Sequence, residues 1–257
     1  MPGQRARSTV FLPKEHGSWS LALEPLAFGL LVAPSWAGGA LATAALAGFF
    51  ARRPLKAALD PIPSPRRRLA RRALVLLAAL GAIGLAETLA LGSWKSLWPL
   101  LPAACGGGAF LWFDAQGESR AAASEVAGSA AFALMPAALA LLAGLSLHVA
   151  LAVAVLAMAR SVPTVLVVRA FLRVAKGAAR SWLPLQAAGL ALVAVSALSW
   201  SGLVPMSAAL GALILFARAA WLLGPSRPDW PAKRVGMMEA MLGVLYVLFA
   251  SAGHLMV

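Results

Sequence analysis

Long apolar segments, rich in Ala, Leu and Val, follow one another almost without interruption along this chain, and they restrict it to the folds of membrane proteins. An α-helix needs about 20 apolar residues to cross the hydrocarbon core of a bilayer, with a range of about 17–25. The segments are continuous rather than alternating, which excludes the strands of a membrane β-barrel. The sequence therefore predicts an all-α fold, a polytopic membrane helical bundle of about nine transmembrane helices. The predicted spans lie near 18–34, 35–51, 73–91, 97–113, 122–143, 146–168, 182–200, 202–223 and 235–256.

The composition excludes the other common classes of protein. Hydrophobic residues make up 61% of the chain and charged residues 12%, whereas soluble domains average about 45–50% and about 25%. The single cysteine, Cys105, excludes a disulfide scaffold. No interval between spans is long enough to form a soluble core, so we expect residues 1–257 to form a single transmembrane domain. Its polar parts are the cytoplasmic N-terminal segment 1–17 and two basic cytoplasmic loops, 52–72 and 169–181.

The 22 Lys and Arg residues are distributed unevenly between the two sides of this arrangement. Nineteen of them fall on the side of the N-terminus, Lys95 falls on the other side, and Arg160 and Arg218 lie inside spans. Cytoplasmic loops carry the excess of positive charge in membrane proteins. We therefore expect the N-terminus in the cytoplasm, the C-terminus outside and the protein in the plasma (inner) membrane. The net charge of +13 is then explained by loops that face anionic lipid, so membrane lipid rather than nucleic acid is the expected partner.

Six Glu or Arg residues fall inside the predicted spans, where a charged side chain costs at least about 2.5–3.5 kcal/mol. Five of the six belong to the cytoplasmic half of their spans, which favours one polar cavity open to the cytoplasm. Arg160 lies nine residues before Arg169, so both side chains can face that cavity. The six residues are Glu24, Glu87, Glu125, Arg160, Arg218 and Glu239.

Basic groups around this cavity outnumber acidic groups, which predicts an anionic ligand such as a phosphate, diphosphate or carboxylate head group. A purely structural alternative stays open, because Glu24, Glu125 and Glu239 can instead pair with cations on other helices. Their candidate partners are Arg160, Arg218 and Arg53. The predicted ligand-binding residues are Lys14, Glu24, Arg53, Lys56, Glu125, Arg160, Arg169, Arg173 and Glu239.

The segment Pro13-Lys14-Glu15-His16-Gly17-Ser18-Trp19 stands directly before the first span. Glu15 and His16 can transfer protons near pH 7, so they are the candidate catalytic residues. The alternative is an interfacial anchor with Trp19 at the depth of the lipid head groups. Motifs for metal ligation or nucleotide binding are absent from the sequence, so we predict no metal site and no cofactor.

The same segment resembles the PKEHGAW signature that opens YwiC-like bacterial membrane proteins. The resemblance extends over nearly the whole chain and implies membership of that family without implying a reaction. Its other similar segments are Arg53-Pro54-Leu55, Glu118-Ser119-Arg120, Glu125-Val126-Ala127-Gly128, Val168-Arg169-Ala170-Phe171-Leu172-Arg173 and Gly236-Met237-Met238-Glu239.

A more distant similarity is to the UbiA superfamily of intramembrane prenyltransferases, which have nine helices and functional loops after spans two and six. Those enzymes use aspartate-rich motifs in both loops to hold Mg²⁺ and a prenyl diphosphate. This chain has only Asp60 in the first loop and no carboxylate in 169–181, so no metal ligand carries over. The resemblance implies a UbiA-like arrangement of helices in which cations contact a bound phosphate directly.

These observations predict an integral membrane protein that binds an anionic isoprenoid or lipid-like ligand, with a divergent prenyltransferase-like enzyme as one form of that function. One alternative is an ion- or proton-coupled transporter that uses the intramembrane carboxylates. Another is an accessory subunit of a respiratory membrane complex. The sequence does not specify the oligomeric state, the ligand or a reaction.

Overall fold

Helices account for all the regular secondary structure in the part of the chain that the computed structural model describes, which is residues 16–59, 65–117 and 121–252. Two short helices, Ala122–Ala133 and Met135–Leu142, meet at Leu134 and form one span, and a 3₁₀ turn at Trp94–Leu97 leads into the helix Leu100–Ala115. The predicted all-α class is therefore confirmed. The helices are α1 (His16–Val32), α2 (Trp36–Ala58), α3 (Pro65–Leu91), α4 (Leu100–Ala115), α5 (Ala122–Ala133), α6 (Met135–Leu142), α7 (Leu147–Val174), α8 (Leu183–Trp200), α9 (Met206–Leu223) and α10 (Ala232–Ala252).

Seven segments within the described residues are long and apolar enough to cross a membrane. They are α3, the 3₁₀ turn with α4, α5 with α6, α7, α8, α9 and α10. The apolar part of α1 covers only Ala22–Val32. Helix α2 carries Arg52, Arg53 and Lys56 in its last two turns, and these cations lower its mean hydropathy. The structure thus supports a multi-pass membrane protein with seven such segments, where the sequence predicted about nine.

The two basic loops are shorter than expected. Much of the interval 52–72 is helical, because α2 continues to Ala58 and α3 begins at Pro65. Arg, Ala and Leu favour helix in water as well as in lipid, and Ala58 packs with Ala70 where the two helices continue past the apolar segments. In the same way α7 continues to Val174, so only part of 169–181 is a loop. Asp60 lies outside the described residues.

Helix α7 occupies the centre of the bundle and packs against α5, α6, α8, α9 and α10. Its buried side chains Val153 and Leu156 belong to a core built largely from alanine and valine, with Phe28 from α1 and Tyr246 from α10. Helices α3 and α4, by contrast, leave most of their apolar side chains exposed. Such a surface is what a helix facing lipid requires.

Ion pairs show which helix ends lie together. Arg52 near the end of α2 pairs with Asp114 at the end of α4, and Arg169 near the end of α7 pairs with Glu125 at the start of α5. These ends therefore share one face of the bundle, and the described cations outside the spans concentrate there. Lys95 belongs to the opposite face, in the turn that precedes α4.

Candidate functional site

A cavity of about 810 Å³ opens among α1, α2, α4, α5, α6, α7 and α10. Its volume lies within the range of about 300–1,000 Å³ that is typical of small-molecule sites. The lining has three parts, which we call the rim, the buried cluster and the apolar wall. The rim consists of Arg52, Arg53, Lys56, Asp114, Glu125 and Arg169.

The apolar wall combines aromatic rings with small residues, and the small residues leave the space that forms the cavity. The rings of Phe49 and Phe132 meet edge to face, with their centroids 5.8 Å apart. Along α4 the lining extends from Leu100 to Asp114, a distance of about 21 Å at the helical rise per residue. The other wall residues include Ala45, Gly48, Phe50, Ala103, Ala104, Gly107, Phe110, Gly128, Ala131 and Met135.

The buried cluster consists of Glu24, Arg160, Thr164 and Glu239, which line the cavity. We include Arg218 in it, because Arg218 contacts Thr164 and Glu239 although it does not line the cavity itself. Arg160 is only 4% exposed, and its Nε lies 3.2 Å from Glu24 Oε2. Its Nη2 donates to the main-chain oxygen of Glu239 at 2.8 Å, and its Nη1 donates to the hydroxyl of Thr164. Because a buried charge without a partner is strongly unfavourable, these contacts offset part of the cost of burying the Arg160 guanidinium inside the bundle.

Arg218 supplies the second cation of the cluster from α9. Its Nη2 lies 3.1 Å from Glu239 Oε2 and donates to Thr164 Oγ1 at 3.1 Å. Two arginines thus face two glutamates, and the cluster joins α1, α7, α9 and α10. Glu239 Oε1 is buried and has no hydrogen-bond partner among the described residues. A buried acceptor of this kind can receive a hydrogen bond from a ligand or an ordered water molecule.

The rim is also built from pairs of opposite charge. Arg52 approaches Asp114 with two nitrogen atoms, Nη2 at 3.1 Å from Oδ1 and Nε at 3.2 Å from Oδ2. Lys56 Nζ lies 3.8 Å from Asp114 Oδ1. Arg169 Nη1 lies 2.8 Å from Glu125 Oε2.

Most of the predicted ligand-binding residues meet in this cavity. Arg173 does not line it; its side chain is exposed one turn beyond Arg169, past the end of the cavity. Lys14 and Glu15 lie outside the described residues, and His16 begins α1 with its side chain outside the described part of the chain. The residues that do line the cavity are Glu24, Arg53, Lys56, Glu125, Arg160, Arg169 and Glu239.

The geometry is compatible with both interpretations of the intramembrane charges, as structural ion pairs and as the lining of a cavity. The charged side chains are paired, and they also surround a cavity. Glu24 and Glu239 pair with Arg160 and Arg218, as the structural alternative expected, and Glu125 pairs with Arg169, which that alternative did not name. Across the described lining there are five cationic side chains and four carboxylates. The cationic excess is therefore smaller than the sequence suggested.

Sequence reasoning missed several residues of the site. Asp114 directly follows the predicted span 97–113, where a carboxylate does not indicate on which side of the membrane the residue lies. Arg52 was interpreted as one of the basic residues that set the orientation and was not among the predicted ligand-binding residues. Thr164 stands four residues after Arg160 on α7, a spacing that places it on the same helix face and that the sequence made visible. The apolar wall could not be recognised in the sequence, because its residues look like those of any apolar span. Within the described ranges, no three His, Cys, Asp or Glu side chains lie close enough to hold a metal ion.

A family model described as YwiC-like protein matches residues 12–140, from just before α1 to near the end of α6. The matched region supplies three of the four rim cations and most of the apolar wall. Comparison with curated proteins and with solved structures gave no match, and the UbiA-like arrangement stays a prediction. The family match covers half of the chain, and the chain belongs to the YwiC-like family.

Proposed function

We propose that this protein binds, in its cavity, a membrane-soluble molecule with an anionic head group, such as a phosphorylated isoprenoid or another lipid-like phosphate. The observation that carries the proposal is a single cavity of about 810 Å³ that has cations at one end and an apolar wall at the other. A ligand that matches both ends must itself be amphipathic.

Two helices show the same order of polarity along the cavity. On α2 the lining changes from Lys56, Arg53 and Arg52 to Phe49, Gly48 and Ala45, over about 16 Å of helix. On α4 it changes from Asp114 to Leu100 in the same direction. The head group of a ligand would therefore lie at the rim and its chain would lie along the apolar wall.

The apolar wall surrounds enough space to favour a bound molecule in the cavity. Side chains that line an empty apolar void lose the dispersion contacts that a filled site would provide. The glycines and alanines of the wall keep this space open rather than filling it. We therefore expect the cavity to hold a ligand or a lipid chain in the membrane.

Two neighbouring glycines on α4 allow a matched test with dodecyl phosphate as the probe. A side chain at Gly107 would project into the cavity, whereas Gly108 does not line it, and a Cβ atom at either position meets no other residue. We expect Gly107→Leu to weaken binding of dodecyl phosphate at least about tenfold, because it fills space that the chain needs. Gly108→Leu should bind as the unmodified protein does.

The measurement is native mass spectrometry of the full chain in neutral detergent after lipid removal, with dodecyl glucoside as an uncharged competitor of equal chain length. Preferential binding of the phosphate supports the proposal. Equal binding by the two glycine variants, or no preference for phosphate over glucoside, contradicts it.

A second candidate, proton-coupled transport, is favoured by the Glu239 carboxylate, which lies buried at the cavity beside two arginines. Intramembrane carboxylates next to a cavity commonly form proton paths. Proteoliposomes that enclose a pH-sensitive dye test this candidate under an imposed membrane potential. Proton flux that is lost in Glu239→Gln and retained in Glu87→Gln, an exposed position on α3, supports it. Absence of flux with the unmodified chain eliminates it.

A further inference from the structure

We infer that Arg52 and Lys56 form a clamp for a phosphate or carboxylate group, and that the carboxylate of Asp114 occupies this clamp as an internal competitor. The inference rests on the proposed function and deepens it, because it specifies where the head group binds and which group it must displace.

The contact between Arg52 and Asp114 has the geometry of anion recognition. Two nitrogen atoms of one guanidinium face two oxygen atoms of one carboxylate, at 3.1 and 3.2 Å. This bidentate arrangement is how arginine binds carboxylate and phosphate ligands in general. Lys56 adds a second positive charge 3.8 Å from the same carboxylate, and it lies one turn further along α2, on the same helix face.

A second contact holds Arg52 in place independently of Asp114. The Arg52 guanidinium carbon lies 4.3 Å from the centre of the Phe110 ring, a cation–π distance. Phe110 is itself fixed against α5, because a Cβ atom at Gly128 would lie only 3.0 Å from its ring. The clamp therefore keeps its geometry when the charge of Asp114 is removed.

The position of Asp114 on its own helix is unfavourable, which makes it a displaceable occupant. It lies in the last turn of α4, where the helix dipole disfavours a negative charge. Its pairing with Arg52 and Lys56 offsets that cost. The Lys56 side chain is 70% exposed and that of Arg52 is 32% exposed, so an incoming anion can reach both cations.

The test measures the dissociation constants of dodecyl phosphate and inorganic phosphate for the full chain in neutral detergent. We expect Asp114→Asn to bind dodecyl phosphate at least about fivefold more tightly than the unmodified protein, because a competing ion pair and a repulsive charge are both removed. The gain should disappear in the double variant Arg52→Gln/Asp114→Asn. The control is Asp229→Asn, which removes an exposed carboxylate outside the cavity and should leave binding unchanged.

Lys56→Gln provides a second variant. It keeps the Arg52–Asp114 pair but removes one cation of the clamp, so it should weaken the binding of dodecyl phosphate. A gain for both probes identifies a clamp for free anions, and a gain for dodecyl phosphate alone identifies a clamp for lipid head groups. Unchanged or weaker binding in a folded Asp114→Asn protein overturns the inference. If Asp114→Asn shows no gain but the unmodified protein still binds dodecyl phosphate in preference to dodecyl glucoside, the proposed function stands. If neither the unmodified protein nor any variant binds dodecyl phosphate, the proposed function fails as well.

Discussion

The Nε atom of Arg160 lies 3.2 Å from Oε2 of Glu24, and this ion pair joins α7 to α1 between residues 136 positions apart in the sequence. Both side chains also line the cavity. The pair therefore serves two purposes, since it fixes two helices relative to each other and makes one wall of the cavity polar. Removal of Arg160 would leave the Glu24 carboxylate buried without this cation, whereas removal of Glu24 would leave Arg160 its contacts with Glu239.

Arg160→Leu tests the structural part of this role. We expect the variant to lose about 3 kcal/mol or more of unfolding free energy, because Glu24 loses its cation and Glu239 keeps only Arg218. The measurement is unfolding by sodium dodecyl sulfate in mixed micelles, followed by circular dichroism. Arg173→Leu is the matched control on the same helix, and its exposed position predicts little change. Equal stability of the two variants would show that the buried pair does not hold the bundle together.

Gly243 on α10 is the position against which the Glu24 carboxylate packs, and an added methyl group would overlap that carboxylate. We expect Gly243→Ala to move Glu24 away from Arg160 and to cost about 1–3 kcal/mol, the value of a charge-assisted hydrogen bond. A double-mutant cycle checks the cause, because the cost should largely vanish in a Glu24→Ala background. In Gly236→Ala, on the same helix, the added methyl group would contact no neighbouring atom, so this variant should stabilise the protein slightly. A cost that persists without Glu24 would point to backbone packing instead.

The all-α class could be predicted because the bilayer determines what a spanning helix looks like. Its thickness sets the length of the apolar segment, and its hydrocarbon core requires apolar side chains. Helix ends were harder to predict, since Arg52, Arg53 and Lys56 are polar enough to suggest a loop but also favour helix. The break at Leu134, which divides a predicted span into α5 and α6, precedes Met135-Pro136, where the proline was visible in the sequence.

The site could be predicted only in part. The shared face of Arg160 and Arg169 followed from their spacing on one helix, and both line the cavity. The partners of these cations depend on contacts between helices, which no spacing within one helix specifies. For this reason the sequence did not identify Arg169 as the partner of Glu125. The volume of the cavity likewise depends on how glycine and alanine faces pack together.

The α2–α3 hairpin offers a test of helix packing away from the site. A Cβ atom at Gly84 would lie 2.7 Å from the main-chain oxygen of Ala40. One at Gly81 would make only ordinary contacts, at 3.7 Å from the Ala47 side chain and 4.0 Å from the main-chain oxygen of Ala44. We expect Gly84→Ala to cost about 1–3 kcal/mol through overpacking against backbone. Gly81→Ala, one turn away, should be neutral or slightly stabilising. Unfolding in mixed micelles measures both, and a neutral Gly84→Ala would mean that α2 and α3 separate easily.

The charge asymmetry between the two faces of the bundle predicts its orientation in the membrane. Arg68 belongs to the basic face and Lys95 to the opposite one, and both are exposed. Because Cys105 is the only cysteine, a Cys105→Ala background allows each position to be labelled alone. We expect a membrane-impermeant maleimide to label Lys95→Cys in intact spheroplasts, and to label Arg68→Cys only after the membrane is permeabilised. The opposite pattern would place the rim of the cavity outside the cell, where the anionic inner leaflet no longer explains its arginines.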